Sequence, residues 1–408
     1  MSERTKTVAT TSRAPIDPNA LEPALRPFGQ SHMLPRAAYV DPAVLDWELE
    51  SFFGGWMCVG RSADLAKAGS QTAVKVGRGS VLLIRGEDEV LRGFVNACRH
   101  RGHELLPCGA TTAKRSVVCP YHAWTYKLDG SMRNAPHMDE VESFDPGRYG
   151  LQALPVTEWH GWVFVATSGQ APDFQEHIGA LEPIITPYAP EDLAVAATHD
   201  YTIEANWKLI AENYQECYHC SMIHPELCAV SPPESGENLD LPGDWVGGGM
   251  DLREHAETMS LDGKSHGVNI EGLSPTELRT VMYIVVFPNL LISLHPDYVM
   301  THRLVPLSAD RTYVECAWAF PKSALAKPDF DPAYAVDFWD ITNRQDWAAC
   351  ESVQRGVSAP QWLPGPLAPD EDGVHHFVSR VAHAYAGRLD SSPIITQDAE
   401  AAELAGQV

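Results

Sequence analysis

Two short runs decide much of what this chain can fold into. Cys98-Arg99-His100 is followed, after eighteen residues, by Cys119-Pro120-Tyr121-His122, so each run offers one thiol and one imidazole. Cys2His2 sets commonly hold structural zinc, but zinc fingers pair like with like, whereas here the ligand types are mixed within each run. Two thiolates on one iron and two imidazoles on the other form a known [2Fe–2S] ligand set, and two symmetric loops can provide it. The neighbours fit: Gly102 lets backbone N–H groups approach closely, Pro120 stiffens the second loop, and Tyr121 and Trp124 can shield it. Cys108, between the runs, reads as an unligated thiol.

A second constellation lies in NWKLIAENYQECYHCSMIHP, residues 206–225. Glu216 and His219 stand three apart and share a face on a helix. His224 precedes Pro225, whose ring disfavours the α region for the residue before it, so the helix should end there and let His224 swing toward His219. Two imidazoles plus a carboxylate from elsewhere make the facial triad of non-haem Fe(II), with positions left open. The carboxylate candidates are Asp337, Asp340, Asp346 and Glu351, all in a helical stretch over 332–356, and spacing alone does not choose among them. Glu216 and Glu212 are candidate acceptors for the second N–H of a metal-bound imidazole.

The rest of the chain supplies a frame. With 408 residues there is room for about two domains. A formal charge of −24 argues against nucleic acid or an anionic membrane as partner. Met1 to Pro35 has no signal-peptide core and no apolar run spans a membrane, which points to the cytoplasm. Nine cysteines, an odd number without a secretion signal, suggest reduced thiols and metal ligands rather than disulfides. A helical pattern over 39–53 is followed by strand-like pieces at 56–59, 72–76, 81–85, 91–96, 116–119, 124–128 and 161–166, which suggest a small all-β domain. Beyond it the patterns predict a helix over 174–188, a strand over 193–203, a long pocket-lining or surface loop over 231–272, four strands between 280 and 320, and a last helix over 374–386.

CRHRG at 98–102 with CPYHAWTY at 119–126, followed by NWKLIAENYQECYHCSMIHPEL at 206–227, resembles the oxygenase α subunit of the Rieske non-haem iron oxygenases. The resemblance implies an α+β chain: a mobile tail over 1–38, an all-β Rieske [2Fe–2S] domain with its leading helix over 39–167, a helix-grip catalytic domain with mononuclear Fe(II) over 168–390, and a tail over 391–408. It also implies a homotrimer in which one chain's cluster serves the next chain's iron. Carried over residue by residue, Cys98, His100, Cys119 and His122 bind the cluster, and His219 and His224 bind the iron. Glu216 takes the place of an acidic bridge to the neighbour's cluster, where many members have Asp. Asn213 matches a polar neighbour of the iron, with one residue fewer before the acid than in ring-dihydroxylating members. NRQDWAACESVQRG resembles the family's late carboxylate motif and selects Asp346 as third ligand, leaving Glu351 a structural ion-pairing role.

The resemblance further implies a terminal oxygenase using O2 and electrons from a separate reductase or ferredoxin, since no dinucleotide fingerprint is visible in this chain. The ECYHC core with Glu as bridge looks like the branch acting on quaternary amines such as betaines, carnitine or choline, and aromatic side chains could cage the ammonium group. The expected pocket draws on Tyr214, Met222, the 231–272 loop, Tyr283, Val285, Phe287, His295, Tyr298 and Trp347. Aromatic acids, ring-hydroxylated as in aromatic hydrocarbon catabolism or demethylated, are the second substrate reading. A Rieske electron carrier with an inactive C-terminal domain, and a zinc-stabilised binding protein, are readings of another class.

Overall fold

A computed structural model describes residues 13–168 and 172–388 of the protein. The chain divides into two compact units: Leu49–Phe174 with Pro190–Asp192, and Met1–Glu48 with Gln175–Ala189 and Leu193–Val408. The expected tail over 391–408 lies outside the described residues. No described helix is long and apolar enough to cross a membrane.

The first of these units is built from short antiparallel strands. They are β1 Met57–Arg61, β2 Ser70–Val76, β3 Gly79–Arg85, β4 Leu91–Val95, β5 Thr111–Ala113, β6 Val117–Val118, β7 Thr125–Tyr126, β8 Met132–Asn134, β9 Ala153–Leu154, β10 Val156–Trp159 and β11 Trp162–Val165. They form a five-stranded sheet, β5-β2-β3-β4-β9, and two three-stranded sheets, β1-β11-β10 and β6-β7-β8. Each apolar run noted in the sequence contributes a strand. Leu82, Ile84, Phe94, Trp124 and Tyr126 meet in one core beneath the two cysteine loops.

The other unit holds one antiparallel sheet of seven strands: β12 Leu193–Ile203, β13 Glu237–Asn238, β14 Trp245–Asp251, β15 Thr280–Val286, β16 Leu290–Leu294, β17 Val299–Ser308 and β18 Arg311–Pro321, in the order β12-β18-β17-β16-β15-β14-β13. Tyr283 on β15, Ser293 on β16, Met300 on β17 and Trp318 on β18 stand in register. Three helices pack on this sheet: Trp207–Tyr214 through Tyr214 against Ser293, the 25-residue Ala333–Val357 through Asn343 against His302, and Asp372–Tyr385 through Phe377 against Phe287. A sheet folded around long helices is the helix-grip arrangement, so the fold class is all-β followed by α+β.

Several elements differ from expectation, each for a local reason. The helix over 174–188 is broken into short turns, because Gly179 adopts φ +49° where a Cβ would meet the Pro242 carbonyl at 2.1 Å, and Pro183 and Pro187 interrupt the turns after it. The 231–272 segment is not one loop: it contains β13 and β14. Gly247 and Gly248 let β14 approach its neighbours, since a Cβ on either would lie about 2 Å from a neighbouring strand's carbonyl oxygen (2.2 and 1.9 Å). Residues 13–38, expected in a mobile tail, are packed: Leu21, Ala24 and Leu34 are buried, and Met33 N–H donates to the Gly365 carbonyl at 3.0 Å. The leading helix, Pro42–Ser51, was expected to open the β domain, yet its residues through Glu48 group with the sheet-and-helix unit. The cause is Glu48, whose carboxylate is buried against Lys208 at 2.6 Å and Trp207 Nε1 at 2.8 Å.

Candidate metal centres

The two cysteine loops have the same backbone plan. Cys98 N–H donates to the His103 carbonyl and receives Gly102 N–H on its own carbonyl; Cys119 N–H donates to Trp124 and receives Ala123 N–H. The fifth residue of each loop is left-handed, Gly102 at φ +71° and Ala123 at φ +58°. The loops thereby set thiol beside thiol and imidazole beside imidazole. Cys98 and Cys119 are buried and near enough to interact, while His100 and His122 are exposed with their Nδ1 atoms 3.1 Å apart. Tyr126 is buried behind them; its hydroxyl lies 3.3 Å from Cys98 Sγ and accepts the Arg99 N–H at 3.1 Å. Trp124 stacks on His100 at 4.8 Å, and Tyr121, half exposed, lies over His122 at 3.7 Å. Two sulfurs and two nitrogens presented in separate pairs suit the two irons of a [2Fe–2S] cluster better than one zinc ion. Cys108 is exposed and free.

The second set is assembled from two short helix ends and the middle of the Ala333–Val357 helix. Asn206 caps the Trp207–Tyr214 helix by accepting the Lys208 N–H. The single helix expected to run on to His224 is broken at Gln215: Glu216 lies beyond the helix and takes both the backbone N–H of His219 (3.1 Å) and its Nδ1–H (2.5 Å). A disulfide between Cys217 and Cys220 closes the same turn, where the cysteine usage suggested reduced thiols. Short helices Cys220–Ile223 and Pro225–Val230 come next, with His224 between them.

His219 Nε2 and His224 Nε2 face each other at 3.1 Å, and Asp346 Oδ1 lies 2.8 Å from the second and 3.4 Å from the first. The far nitrogens are occupied. His219 Nδ1 donates to Glu216, and His224 Nδ1 donates at 2.7 Å to Gln345 Oε1, whose amide is oriented by donating to Glu226 at 3.1 Å. Both Nε2 atoms therefore turn lone pairs toward each other and toward a carboxylate, a cluster of acceptors that calls for a cation. Burial alone would push the His219 imidazolium down, but Asp346 and Glu216 together push it up to about 10. A metal ion would take the place of that proton, and two imidazoles with one carboxylate suit iron.

Among the other carboxylate candidates, Asp340 pairs with Arg344 at 2.7 Å and accepts the Tyr201 hydroxyl, and Glu351 accepts the Glu204 backbone N–H, with no ion pair among the described residues. Asp337 takes no part in the cluster. Asn213 is half-buried in the last turn of its helix, outside the hydrogen bonds that join the triad. Glu212 faces neither imidazole: it is buried and accepts the Tyr39 hydroxyl at 2.9 Å, and burial pushes its carboxyl up to about 8. Gln345 escaped the sequence reading, although it adjoins Asp346.

Beside the triad, aromatic side chains line the inner face of the sheet. Tyr214 hydrogen-bonds Ser293 at 2.7 Å and lies edge-on to Tyr283 and His302. His302 in turn meets Trp347, the residue after Asp346. Tyr283 leans on Trp339, as does His295, which stacks on Tyr298 at 4.0 Å. Of the expected pocket residues, Met222 is 83% exposed and lies outside this interior, and Phe287 packs against Trp207 and Phe377 instead.

Comparison with known proteins agrees with this geometry. The Rieske [2Fe-2S] domain family matches residues 55–145, and the ring hydroxylating alpha subunit catalytic domain matches residues 190–387. The glycine betaine monooxygenase oxygenase subunit of Chromohalobacter salexigens is 31% identical over 400 residues, covering 90% of this chain and 89% of that one. The carnitine monooxygenase oxygenase subunit of Acinetobacter pittii is 41% identical over 199 residues, 47% of this chain and 52% of that one. A solved quaternary ammonium Rieske monooxygenase superposes with a TM-score of 0.75 at 26% identity, over 92% of this chain and 100% of its own. With both family models matched and a full-length relative at this identity, the chain belongs to the Rieske non-haem iron oxygenases, as an oxygenase subunit of the ring-hydroxylating α-subunit type.

Proposed function

We propose that this protein is the terminal oxygenase of a multicomponent system that hydroxylates or oxidatively demethylates a small quaternary amine of the betaine or carnitine kind. The observation that carries the reading is the triad His219, His224 and Asp346, set beside an inner wall of Tyr214, Tyr283, Trp339 and Tyr298. A cationic ammonium group gains from aromatic faces where it could not gain from arginine or lysine. The relatives named for glycine betaine and carnitine support the same class.

In this reading Cys98, Cys119, His100 and His122 hold the [2Fe–2S] cluster, and His219, His224 and Asp346 hold Fe(II). When bound, these groups supply electron transfer and oxygen activation; the protein supplies binding, orientation and the exclusion of water. Glu216 fixes His219 in the tautomer that points Nε2 inward, and Gln345 does so for His224. Asn213 is the polar neighbour of that site. Electrons come from a separate NAD(P)H-dependent reductase or ferredoxin, the working form is a homotrimer with Glu216 linking iron to the neighbour's cluster, and the setting is the cytoplasm.

The test is electron paramagnetic resonance of the anaerobic ferrous protein with nitric oxide, titrated with glycine betaine, L-carnitine and benzoate. A signal that changes with the amines and not with benzoate is the expected result. A change with benzoate alone moves the substrate to aromatic acids, and no nitrosyl signal in iron-replete protein moves the chain to an electron carrier.

A further inference from the structure

The turn that carries Glu216 and His219 is also the place where two sulfurs are joined. Cys217 and Cys220 form a disulfide from either side of His219, while every other described cysteine is free. In the cytoplasmic setting proposed above such a bond needs a reason, since disulfides that form there are usually catalytic or redox-sensing rather than structural. The turn has other ties. Glu216 accepts both the backbone N–H and the ring N–H of His219, and Cys220 N–H donates to the Cys217 carbonyl at 3.1 Å.

Position supplies the reason. Cys220 Sγ lies 3.9 Å from His219 Nε2, the nitrogen that faces His224 and Asp346. Single donor atoms of His219, Cys220 and His224 all lie within 4.8 Å of one another, so the sulfur belongs to the same group of potential ligands as the imidazoles. Asp346 adds its carboxylate to that group. The thiolate is the form of cysteine that binds metals, and a sulfur in a disulfide is not one. With the disulfide closed, the protein offers two imidazoles and one carboxylate, and positions stay open. With it cleaved, the same sulfur becomes a fourth protein ligand, the count that fills a closed tetrahedral site.

Access decides which sulfur reacts first. Cys217 is half-buried, whereas Cys220 is 3% exposed. An external thiol therefore attacks Cys217 Sγ, and Cys220 leaves as the thiolate. The second thiol of a dithiol reagent then displaces Cys217 from the mixed disulfide. The protein disulfide gains two electrons and the dithiol, losing two, closes into its own disulfide. Of the two protons released, one ends on Cys217 and the other goes to water.

We propose that Cys217 and Cys220 form a redox gate on the iron site: the disulfide keeps Cys220 out of the metal's ligand set, and a dithiol reductant turns it into a fourth ligand that closes a position oxygen needs. This rests on the reading of His219, His224 and Asp346 as the iron ligands.

The experiment follows the iron–nitrosyl signal of the anaerobic ferrous holoenzyme, prepared with ascorbate, as isolated, after dithiothreitol, and after oxidised glutathione. Alkylation and mass spectrometry count the thiols at positions 217 and 220 in each state. The signal should be lost on reduction and return on reoxidation, in step with those thiols. Cys217→Ser and Cys220→Ser both lack the disulfide, yet they should behave in opposite ways. Cys217→Ser leaves Cys220 a permanent thiol and should lack the normal signal without any treatment, whereas Cys220→Ser removes the sulfur and should keep the signal through dithiothreitol. Like behaviour of the two variants would make the disulfide a brace only, and a normal signal that persists with both cysteines shown to be free thiols would remove the gate; either result overturns the proposal while the iron reading stands. Absence of the signal from iron-replete, oxidised protein and from Cys220→Ser alike would overturn both.

Discussion

The two proposed metal centres are held by opposite means. The four cluster residues sit on loops fixed almost entirely by backbone hydrogen bonds, with sulfurs buried and both imidazoles at the surface. The two histidines of the triad sit at helix ends and Asp346 in the middle of the Ala333–Val357 helix, each histidine is oriented by a side chain, and the whole set is largely enclosed. The difference reflects the task of each. A group that exchanges electrons with a partner gains from exposed ligands on a stiff hairpin, whereas oxygen chemistry gains from ligands that cannot turn and from excluded water.

The largest expected effects break the comparison outright. Cys119→Ser should abolish the cluster's visible absorption and leave the nitrosyl signal, while Asp346→Ala should do the reverse, removing about a third of the iron and all turnover. Metal analysis with both spectra distinguishes the pair, and loss of both signals in either variant would mean that the centres do not assemble independently. Next comes the buried foundation of the triad. Lys208→Met strands the Glu48 carboxylate, both side chains being fully buried, and should cost about 3–5 kcal/mol in urea unfolding.

Smaller effects sharpen the contrast. Gln345→Leu frees the His224 tautomer and should lower iron affinity or activity about tenfold to a hundredfold, with the cluster spectrum intact. Glu212 carries a pH signature. Its carboxyl, pushed up to about 8 by burial, holds a proton in the folded chain that the unfolded chain has already lost, so stability falls as pH rises from about 4.5 to about 8. Glu212→Gln should flatten that slope in urea midpoints taken across the range. Smallest is the loop pair. Gly102→Ala places a Cβ at φ +71° in open space and should cost about 1 kcal/mol, whereas Ala123→Gly relieves the equivalent position and should be neutral or mildly stabilising in a thermal melt.

The cluster loops were legible because everything that defines them is local: Cys98, His100, Cys119 and His122 with Gly102 and Pro120, all within about twenty-five residues. The strands of the first unit were legible for the same reason, as alternating runs between turns. Convergence of His219, His224 and Asp346 needed the family resemblance, since helical spacing left four carboxylates equivalent. Gln345 was hidden because its role depends on an imidazole 121 residues away. Strand β14 was hidden by its glycines, which lower strand preference in the very place where close approach requires them. Glu48 and Lys208 look like ordinary surface charges until the fold buries them against each other.

That last pair bears on how such a protein can be taken apart and recombined. Glu48 is the anchor for Lys208, Trp207 and Tyr385, so the stretch ahead of the cluster-bearing strands is part of the ground on which the iron-side helix stands. An exchange of cluster modules between relatives that cut the chain near residue 39 would carry this anchor away with the wrong module. A seam placed after residue 48 would leave Glu48 and its three contacts inside one inherited piece.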